Sequence, residues 1–116
     1  MCHYRHRAHD DPFFLPGLQD ITAHVDFTAV AEAGVDAGLE LFGYTTQAHF
    51  LVNCGITGML AATPPERASH YLPQAALAHK LLSPAEMGEL FKAIALGRGV
   101  ETPLCGFAGG DRTRLL

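Results

Sequence analysis

Apolar and polar residues alternate strictly from residue 20 to residue 27, DITAHVDF. A period of two is typical of an extended strand, so this segment is predicted to bury one face and expose the other. The apolar positions are Ile21, Ala23, Val25 and Phe27. The polar positions, called here the polar stripe, are Asp20, Thr22, His24 and Asp26.

Helical and strand patterns alternate after this segment. Asp26 or Thr28 is suited to cap a helix that Gly38 would end. Residues 39–44, LELFGY, alternate again and predict a short strand. Residues 91–96, FKAIAL, are almost wholly apolar and predict a buried strand. Helices alternating with short strands indicate an α/β fold.

Several helix signals lie between the two predicted strands. The pair at 45–46, Thr-Thr, offers an N-cap for a helix that Gly55 would end. Residues 63–66 (TPPE) and 83–86 (SPAE) are both capping boxes with proline at the first helical position. The first box predicts a helix that bends or restarts near Pro73, and the second predicts a short helix. The middle of the chain is therefore predicted to be helical.

Composition and charge narrow the class of protein. The chain has 116 residues, 48% of them hydrophobic and 17% charged, and no run approaches the roughly 18–20 apolar residues of a membrane span. The net charge is −4, and residues 8–111 hold all twelve acidic residues against four basic ones. A phosphate-binding surface needs the opposite balance, so nucleic acid is not an expected partner. The first nineteen residues are rich in turn formers and predict a loop without a signal peptide.

Cysteine and histidine give few signals for metal or redox chemistry. Cys2, Cys54 and Cys105 are odd in number and far apart, without a CxxC pair, which favours a reducing cytoplasm. Cys54 is predicted to be a buried, inert thiol. Histidines 3, 6 and 9 recur every third residue, but this spacing gathers the imidazoles only in a helix. A metal-binding protein is thus the third-ranked interpretation, and no metal site is predicted.

The polar stripe is the strongest candidate site. It combines two carboxylates with an imidazole, a set that could orient a basic substrate, accept a proton or bind a metal. The structural alternative is that Asp26 caps the next helix, Asp20 closes a turn and His24 is solvated. A cofactor loop is not predicted, because Gly97-Arg-Gly99 has Thr102 where a GxGxxG motif needs its third glycine. The residues alone leave both interpretations open.

Three segments carry a resemblance to a known family: residues 16–56, which contain PGLQDITAHVDF, residues 81–99, which contain SPAEMGELFK, and residues 103–111, PLCGFAGGD. They resemble the C-terminal half of the MidA family of class I S-adenosylmethionine-dependent methyltransferases. Mitochondrial relatives in that family methylate an arginine on a complex I subunit during assembly.

The resemblance implies an architecture, the C-terminal part of a Rossmann-like fold with an incomplete sheet. Residues 1–20 would be a loop that leaves the fifth strand. Residues 21–45 would hold an extended segment, the crossover helix and the sixth strand. Residues 46–90 would be a helical insertion, and residues 91–116 would supply the antiparallel last strand and a tail.

The resemblance also implies a function. The family's cofactor site, a glycine-rich loop after the first strand and an acidic residue after the second, has no counterpart in this sequence. We therefore expect a C-terminal fragment that neither binds S-adenosylmethionine tightly nor turns over alone. The polar stripe would face the substrate, a protein arginine, since carboxylates suit a guanidinium. The alternative is a small stand-alone binding or assembly module that pairs, or self-associates, through an exposed sheet edge.

Overall fold

The computed structural model describes residues 1–62 and 68–116. It confirms the α/β class, with two small, incomplete sheets. The strands are β1 (Cys2–Tyr4), β2 (Arg7–His9), β3 (Asp20–Ile21), β4 (Glu40–Thr46) and β5 (Lys92–Gly97). The helices are α1 (Phe27–Asp36), α2 (Gln47–Asn53), α3 (Ile56–Ala61) and α4 (Ala68–Leu82), with two short 3-10 turns at Cys105–Phe107 and Thr113–Leu115.

The N-terminal region is not the continuous loop expected for residues 1–20. Strand β1 pairs antiparallel with β2 on one side and with β3 on the other, in the order β2-β1-β3. The hairpin turns at Arg5 and His6, whose φ angles of 47° and 64° are left-handed. Turns of this kind normally carry Asn or Gly, so the sequence held no signal for the hairpin.

The alternating segment is strand only at its start. Regular pairing covers Asp20 and Ile21, and residues 22–26 continue without regular structure to the start of α1. Ile21 is 63% exposed and Val25 is 56% exposed, so the predicted buried face is wrong for the described chain. No element among residues 1–62 and 68–116 covers these side chains.

Helix α1 confirms its predicted signals. The Asp26 carboxylate Oδ1 accepts a hydrogen bond from the Ala29 N–H at 3.0 Å, so Asp26 is the N-cap. Gly38 follows the helix with a φ of +80°, which a residue with a Cβ rarely adopts. A Cβ on Gly34 would lie 2.8 Å from Leu96 Cδ1, so α1 packs closely onto β5.

The second sheet confirms two further predictions. Strands β4 and β5 form where LELFGY and FKAIAL predicted them, and they pair antiparallel with an irregularity between Leu41 and Gly43. Strand β5 is half-buried along its whole length rather than buried. Within the described residues it pairs only with β4, so its second edge is open.

The helical region agrees with the sequence in part. Thr46 caps α2, and Gly55 follows that helix with a φ of +91°. Helix α4 continues through Pro73 without restarting. The 63–66 capping box lies outside the described residues. The 83–86 box opens a series of turns at 84–90 instead of the predicted helix, because the Gly88 N–H reaches back to the Ser83 carbonyl at 2.9 Å.

Little of the described chain forms a core. The buried apolar side chains are few: Cys2, Ala31 and Ala78. The radius of gyration is 17.6 Å, against about 13 Å for a compact domain of this length. Large side chains such as Phe13, at 84% exposed, and Met59, at 74%, face solvent. The elements therefore present apolar faces that the described residues leave uncovered. No helix among the described residues could span a membrane.

Candidate functional site

The four residues of the polar stripe are all exposed. Asp20 lies opposite His3 in the β1–β3 pair. The Thr22 backbone is tied to the start of the chain: its N–H donates to the Met1 carbonyl at 2.8 Å, and its carbonyl accepts from the Met1 ammonium at 2.9 Å. The stripe is thus anchored at one end by β1 and at the other by α1.

Asp26 has the structural role that the sequence left open. Its Oδ1 caps α1, and the ring of the next residue, Phe27, packs at a tilt against that of Tyr44 of β4 with centroids 5.2 Å apart. The cap and the ring pair hold the C-terminal end of the stripe against the second sheet. A carboxylate is favourable at a helix N-terminus, so capping is compatible with attracting a cation.

Asp111 and Arg112 were not found by sequence reasoning, although Asp111 ends the quoted PLCGFAGGD segment and Arg112 follows it. Asp111 Oδ1 accepts hydrogen bonds from the Tyr44 N–H at 3.2 Å and from the Thr113 hydroxyl at 2.6 Å. The Arg112 N–H donates to the Tyr44 carbonyl at 2.7 Å. The C-terminal segment, residues 103–113, therefore fixes Tyr44, whose ring lies against Phe27.

An ion-pair cluster supports the same segment. The Arg112 guanidinium contacts both carboxylate oxygens of Glu89, with the second contact at 3.2 Å, and Lys92 Nζ lies 3.6 Å from Glu89 Oε1. The hydrogen bond from Arg112 is the main reason that the pKa of Glu89 is lowered. The hydroxyl of Thr113 is the main reason that the pKa of Asp111 is lowered.

These two carboxylates predict a loss of stability in acid. A group with a lowered folded-state pKa stabilises the fold above its unfolded pKa, and this contribution disappears as the pH falls through the folded pKa. When the pH is lowered past the ordinary carboxyl pKa values, 4.5 for Glu89 and 3.8 for Asp111, we expect the urea concentration at the unfolding midpoint to decrease. In Glu89→Gln plus Asp111→Asn, the midpoint should change less between pH 6 and pH 3, about the range in which carboxyls titrate. If the urea midpoint of this double variant depended on pH as strongly as that of the unchanged chain, the two carboxylates would not be the cause of the loss of stability in acid.

The cysteines differ from their prediction. Cys54 is exposed, not buried, because it is the C-cap of the short helix α2 and not part of its packed face. The pKa of Cys54 is raised, first by partial desolvation of its thiol and then by a hydrogen bond with Cys105. The three N-terminal histidines are not brought together in a helix. His3, His6 and His9 lie along the N-terminal hairpin. Within residues 1–62 and 68–116, no group of three or more His, Cys, Asp or Glu side chains is placed to hold a metal ion.

Comparison with known proteins identifies the class that this chain resembles. Residues 1–45 match a family model described as "Putative S-adenosyl-L-methionine-dependent methyltransferase". A search of the curated proteins found no match. The chain is 62% identical, over its whole length and with a TM-score of 0.88, to a Burkholderia thailandensis protein described as a "likely methyl transferase", whose crystal structure holds S-adenosyl-homocysteine.

A second crystal structure from the same organism gives the same result. It is described as an uncharacterized protein, is 62% identical to this chain and has a TM-score of 0.87. The chain spans only 30% and 31% of the lengths of these two proteins, while all of it is covered. Its fold is therefore similar to one part of a methyltransferase.

Proposed function

We propose that this chain provides the substrate-facing, C-terminal part of a MidA-type S-adenosylmethionine-dependent methyltransferase, with a protein arginine as the methyl acceptor. The supporting observation is the 62% identity, over the whole chain, to a protein whose crystal structure holds S-adenosyl-homocysteine. The exposed carboxylates of Asp20 and Asp26 support the choice of a cationic acceptor.

We propose that the cofactor binds outside these residues. The bend at Gly97-Arg-Gly99 is occupied by its own contacts, since the Arg98 guanidinium donates to the Ala37 carbonyl at 2.9 Å and to the Gly38 carbonyl at 3.3 Å. The Arg98 side chain is therefore already engaged within this chain. When bound elsewhere in the enzyme, the cofactor supplies an electrophilic methyl group.

The residues of this chain then have an orienting role. The carboxylates of Asp20 and Asp26 would bind the guanidinium, and the charge they carry would favour the cationic acceptor during transfer. His24, exposed between them in the sequence, would accept the proton that the acceptor nitrogen releases. The contact between the rings of Phe27 and Tyr44 would keep Asp26 in position.

A chimera tests the proposal. Residues 1–116 replace the matching 30% of the Burkholderia relative, whose structure they follow. Titration calorimetry should detect S-adenosyl-homocysteine binding to the chimera and none to the isolated chain. Labelled methyl transfer to protein, followed by hydrolysis, should yield methylarginine. Tight binding to the isolated chain, or label on another amino acid, would contradict the corresponding part of the proposal.

Asp26 allows its charge to be separated from its capping role. Asparagine caps helices as well as aspartate does, so Asp26→Asn keeps α1 while removing the charge. We expect methylation by the chimera to fall about tenfold, the loss of one charge-assisted contact worth about 1.4 kcal/mol, with the melting temperature lowered only by the small contribution of the charge to the helix dipole. Asp20→Asn should behave alike. Asp36→Asn, a matched change in an exposed residue at the end of α1, should leave activity unchanged.

A second candidate function is an assembly module. The open edge of β5 and the exposed apolar side chains favour association with a partner or with a second copy. Sedimentation of the isolated chain separates the candidates. A defined oligomer that forms without any methyltransferase half would favour this module, whereas a monomer that associates only with the missing part of the relative would favour the first proposal.

A further inference from the structure

The N-terminal hairpin and the loop that follows it line a cavity of about 820 Å³ that is open to solvent. The register of β1 and β2 places Cys2, Tyr4, Arg7 and His9 on one face of the small sheet. Phe14 stands over that face, with its ring edge-on to His9 at 5.3 Å and to Tyr4 at 6.2 Å. We call this cavity the hairpin cradle; its polar and aromatic lining comprises Tyr4, Arg5, Arg7, His9, Asp11 and Phe14.

The backbone around the hairpin cradle is strained. Among residues 1–62 and 68–116, the non-glycine residues with positive φ are Arg5, His6 and Leu15. Arg5 lines the cradle, His6 completes the same turn, and Leu15 follows Phe14. Asparagine or glycine would form such turns with less strain. Strain of this kind persists where the surroundings fix it and is concentrated at ligand-binding sites.

The charges of the cradle favour an anion. The Arg5 guanidinium lies 5.5 Å from the centre of the Tyr4 ring, which restrains it at the rim, and Arg7 adds a second guanidinium. Asp11, the acidic residue of the lining, is engaged with the backbone, since its Oδ1 accepts from the Phe13 N–H at 2.9 Å. His9 Nε2 is buried and has no hydrogen-bond partner.

A buried polar nitrogen without a partner is costly and calls for a ligand or water. Because this nitrogen is closed off from solvent, an anion would reach it only if a neighbouring side chain such as Phe14 moved aside; with its proton on Nε2, His9 would then donate to the anion that the two arginines attract. One net positive charge from two arginines and one aspartate suits a singly charged carboxylate better than a phosphate dianion. The rings of Tyr4 and Phe14, the latter 46% exposed, suit a flat apolar group beside that carboxylate.

We propose that the hairpin cradle binds a carboxylate carried next to an aromatic ring, in a free aromatic acid or at the C-terminus of a peptide that ends in an aromatic residue. This site is separate from the polar stripe. The register that places Tyr4 and His9 on one face of the sheet turns Asp20, which lies opposite His3, to the other face. The proposal therefore holds or fails independently of methyl transfer.

The experiment is a ligand titration of the full 116-residue chain, followed by the amide signals of the hairpin in NMR spectra. The probes are benzoate, its neutral analogue benzamide, inorganic phosphate, and N-acetyl-Gly-Phe with a free or an amidated C-terminus. Benzoate should bind at least about tenfold more tightly than benzamide, the ratio that 1.4 kcal/mol of charge-assisted binding produces. This comparison needs no variant and so does not depend on folding.

Variants then assign the contacts. Arg5→Gln and Arg7→Gln should each weaken benzoate binding about tenfold, whereas Arg114→Gln, the same change at an exposed residue outside the cradle, should have no effect. Phe14→Leu should weaken benzoate binding. Tighter binding of the free-acid peptide than of benzoate would identify a peptide C-terminus as the source, and the reverse order a free acid.

Three results would overturn the proposal. Equal affinity for benzoate and benzamide would show an apolar cavity without charge recognition. Phosphate binding as tight as benzoate binding would show a general anion site. Shifts in the same amides that are identical in Arg7→Gln and Arg114→Gln, with unchanged circular dichroism, would place the anion outside the cradle.

Discussion

Gly88→Ala is expected to lower the free energy of unfolding by about 2–3 kcal/mol, the upper range for overpacking a closely packed position. A Cβ at this position would lie 2.1 Å from the Leu82 carbonyl oxygen and 3.0 Å from that of Ser83. Both are backbone atoms, so no side chain can rotate away. The Gly88 carbonyl also accepts from the Ala48 N–H at 3.0 Å, which joins the 84–90 turns to the start of α2.

A matched control exists in α3. A Cβ added to Gly58 would meet nothing within 4 Å, and this helical position does not have a positive φ. Gly58→Ala should therefore stabilise the chain by about 0.5–1 kcal/mol through helix propensity and lower unfolded-state entropy. Urea unfolding followed by circular dichroism measures both variants. If Gly88→Ala were as stable as Gly58→Ala, the close packing of the turn against Leu82 would be refuted.

Replacing both Thr45 and Thr46 with valine is expected to cost about 3–4 kcal/mol, as one broken cap and one unsatisfied buried carbonyl. Both threonines are fully buried, at 0% exposure. The Thr46 hydroxyl caps α2 by accepting from the His49 N–H at 3.3 Å, and it lies 2.8 Å from His49 Nδ1. The Thr45 hydroxyl donates to the Gly110 carbonyl at 2.7 Å and so fixes the C-terminal segment.

Serine at the same positions separates the hydroxyl from the methyl group. Thr46→Ser and Thr45→Ser keep the hydrogen bonds and lose only one buried methyl each, worth about 0.8 kcal/mol. Thermal unfolding should rank the serine variants well above the valine variants. An equal loss for serine and valine would show that packing, not hydrogen bonding, holds these positions.

The serine and valine series also reports on the C-terminal segment. Asn53 Nδ2 donates to the carbonyls of Gly106 and Gly109 at 2.9 and 2.8 Å, and Phe50 stacks edge-on to Phe107 at 5.5 Å. Those contacts act on the same segment as Thr45. Deuterium exchange at residues 105–111 should therefore increase in Thr45→Val and not in Thr45→Ser.

Local sequence signals predicted the elements that depend on neighbouring residues. The Asp26 cap, the Gly38 and Gly55 stops and the two alternating runs of β4 and β5 were all readable, because a cap, a left-handed residue and a side-chain period act over a few residues. The resemblance to a methyltransferase gave the antiparallel pairing of the last two strands, which the register confirms.

The errors come from non-local or strained backbone. The hairpin turns at Arg5 and His6, whose side chains give no turn signal, so residues 1–20 read as a loop. The 83–86 capping box failed because the carbonyl of Ser83 accepts the N–H of Gly88, which folds the chain back in place of a helix. The alternation of residues 20–27 indicated a buried face, and that face needs an opposing element that the described residues do not supply.

The sequence by itself therefore determined the α/β class, the caps and stops of the helices and the identity of the polar stripe, because each depends on residue type and short spacing. Only the tertiary structure decided which distant residues meet. Asp111 and Arg112 hydrogen-bond to Tyr44, and the C-terminal segment hydrogen-bonds to Thr45. Phe14 packs against the N-terminal hairpin and so forms the hairpin cradle. Those contacts join residues as far apart in the sequence as Tyr44 and Arg112, and no local pattern of residues encodes such a contact. Their geometry follows from packing, which places Asp20 of the polar stripe and the hairpin cradle on different faces of the N-terminal sheet.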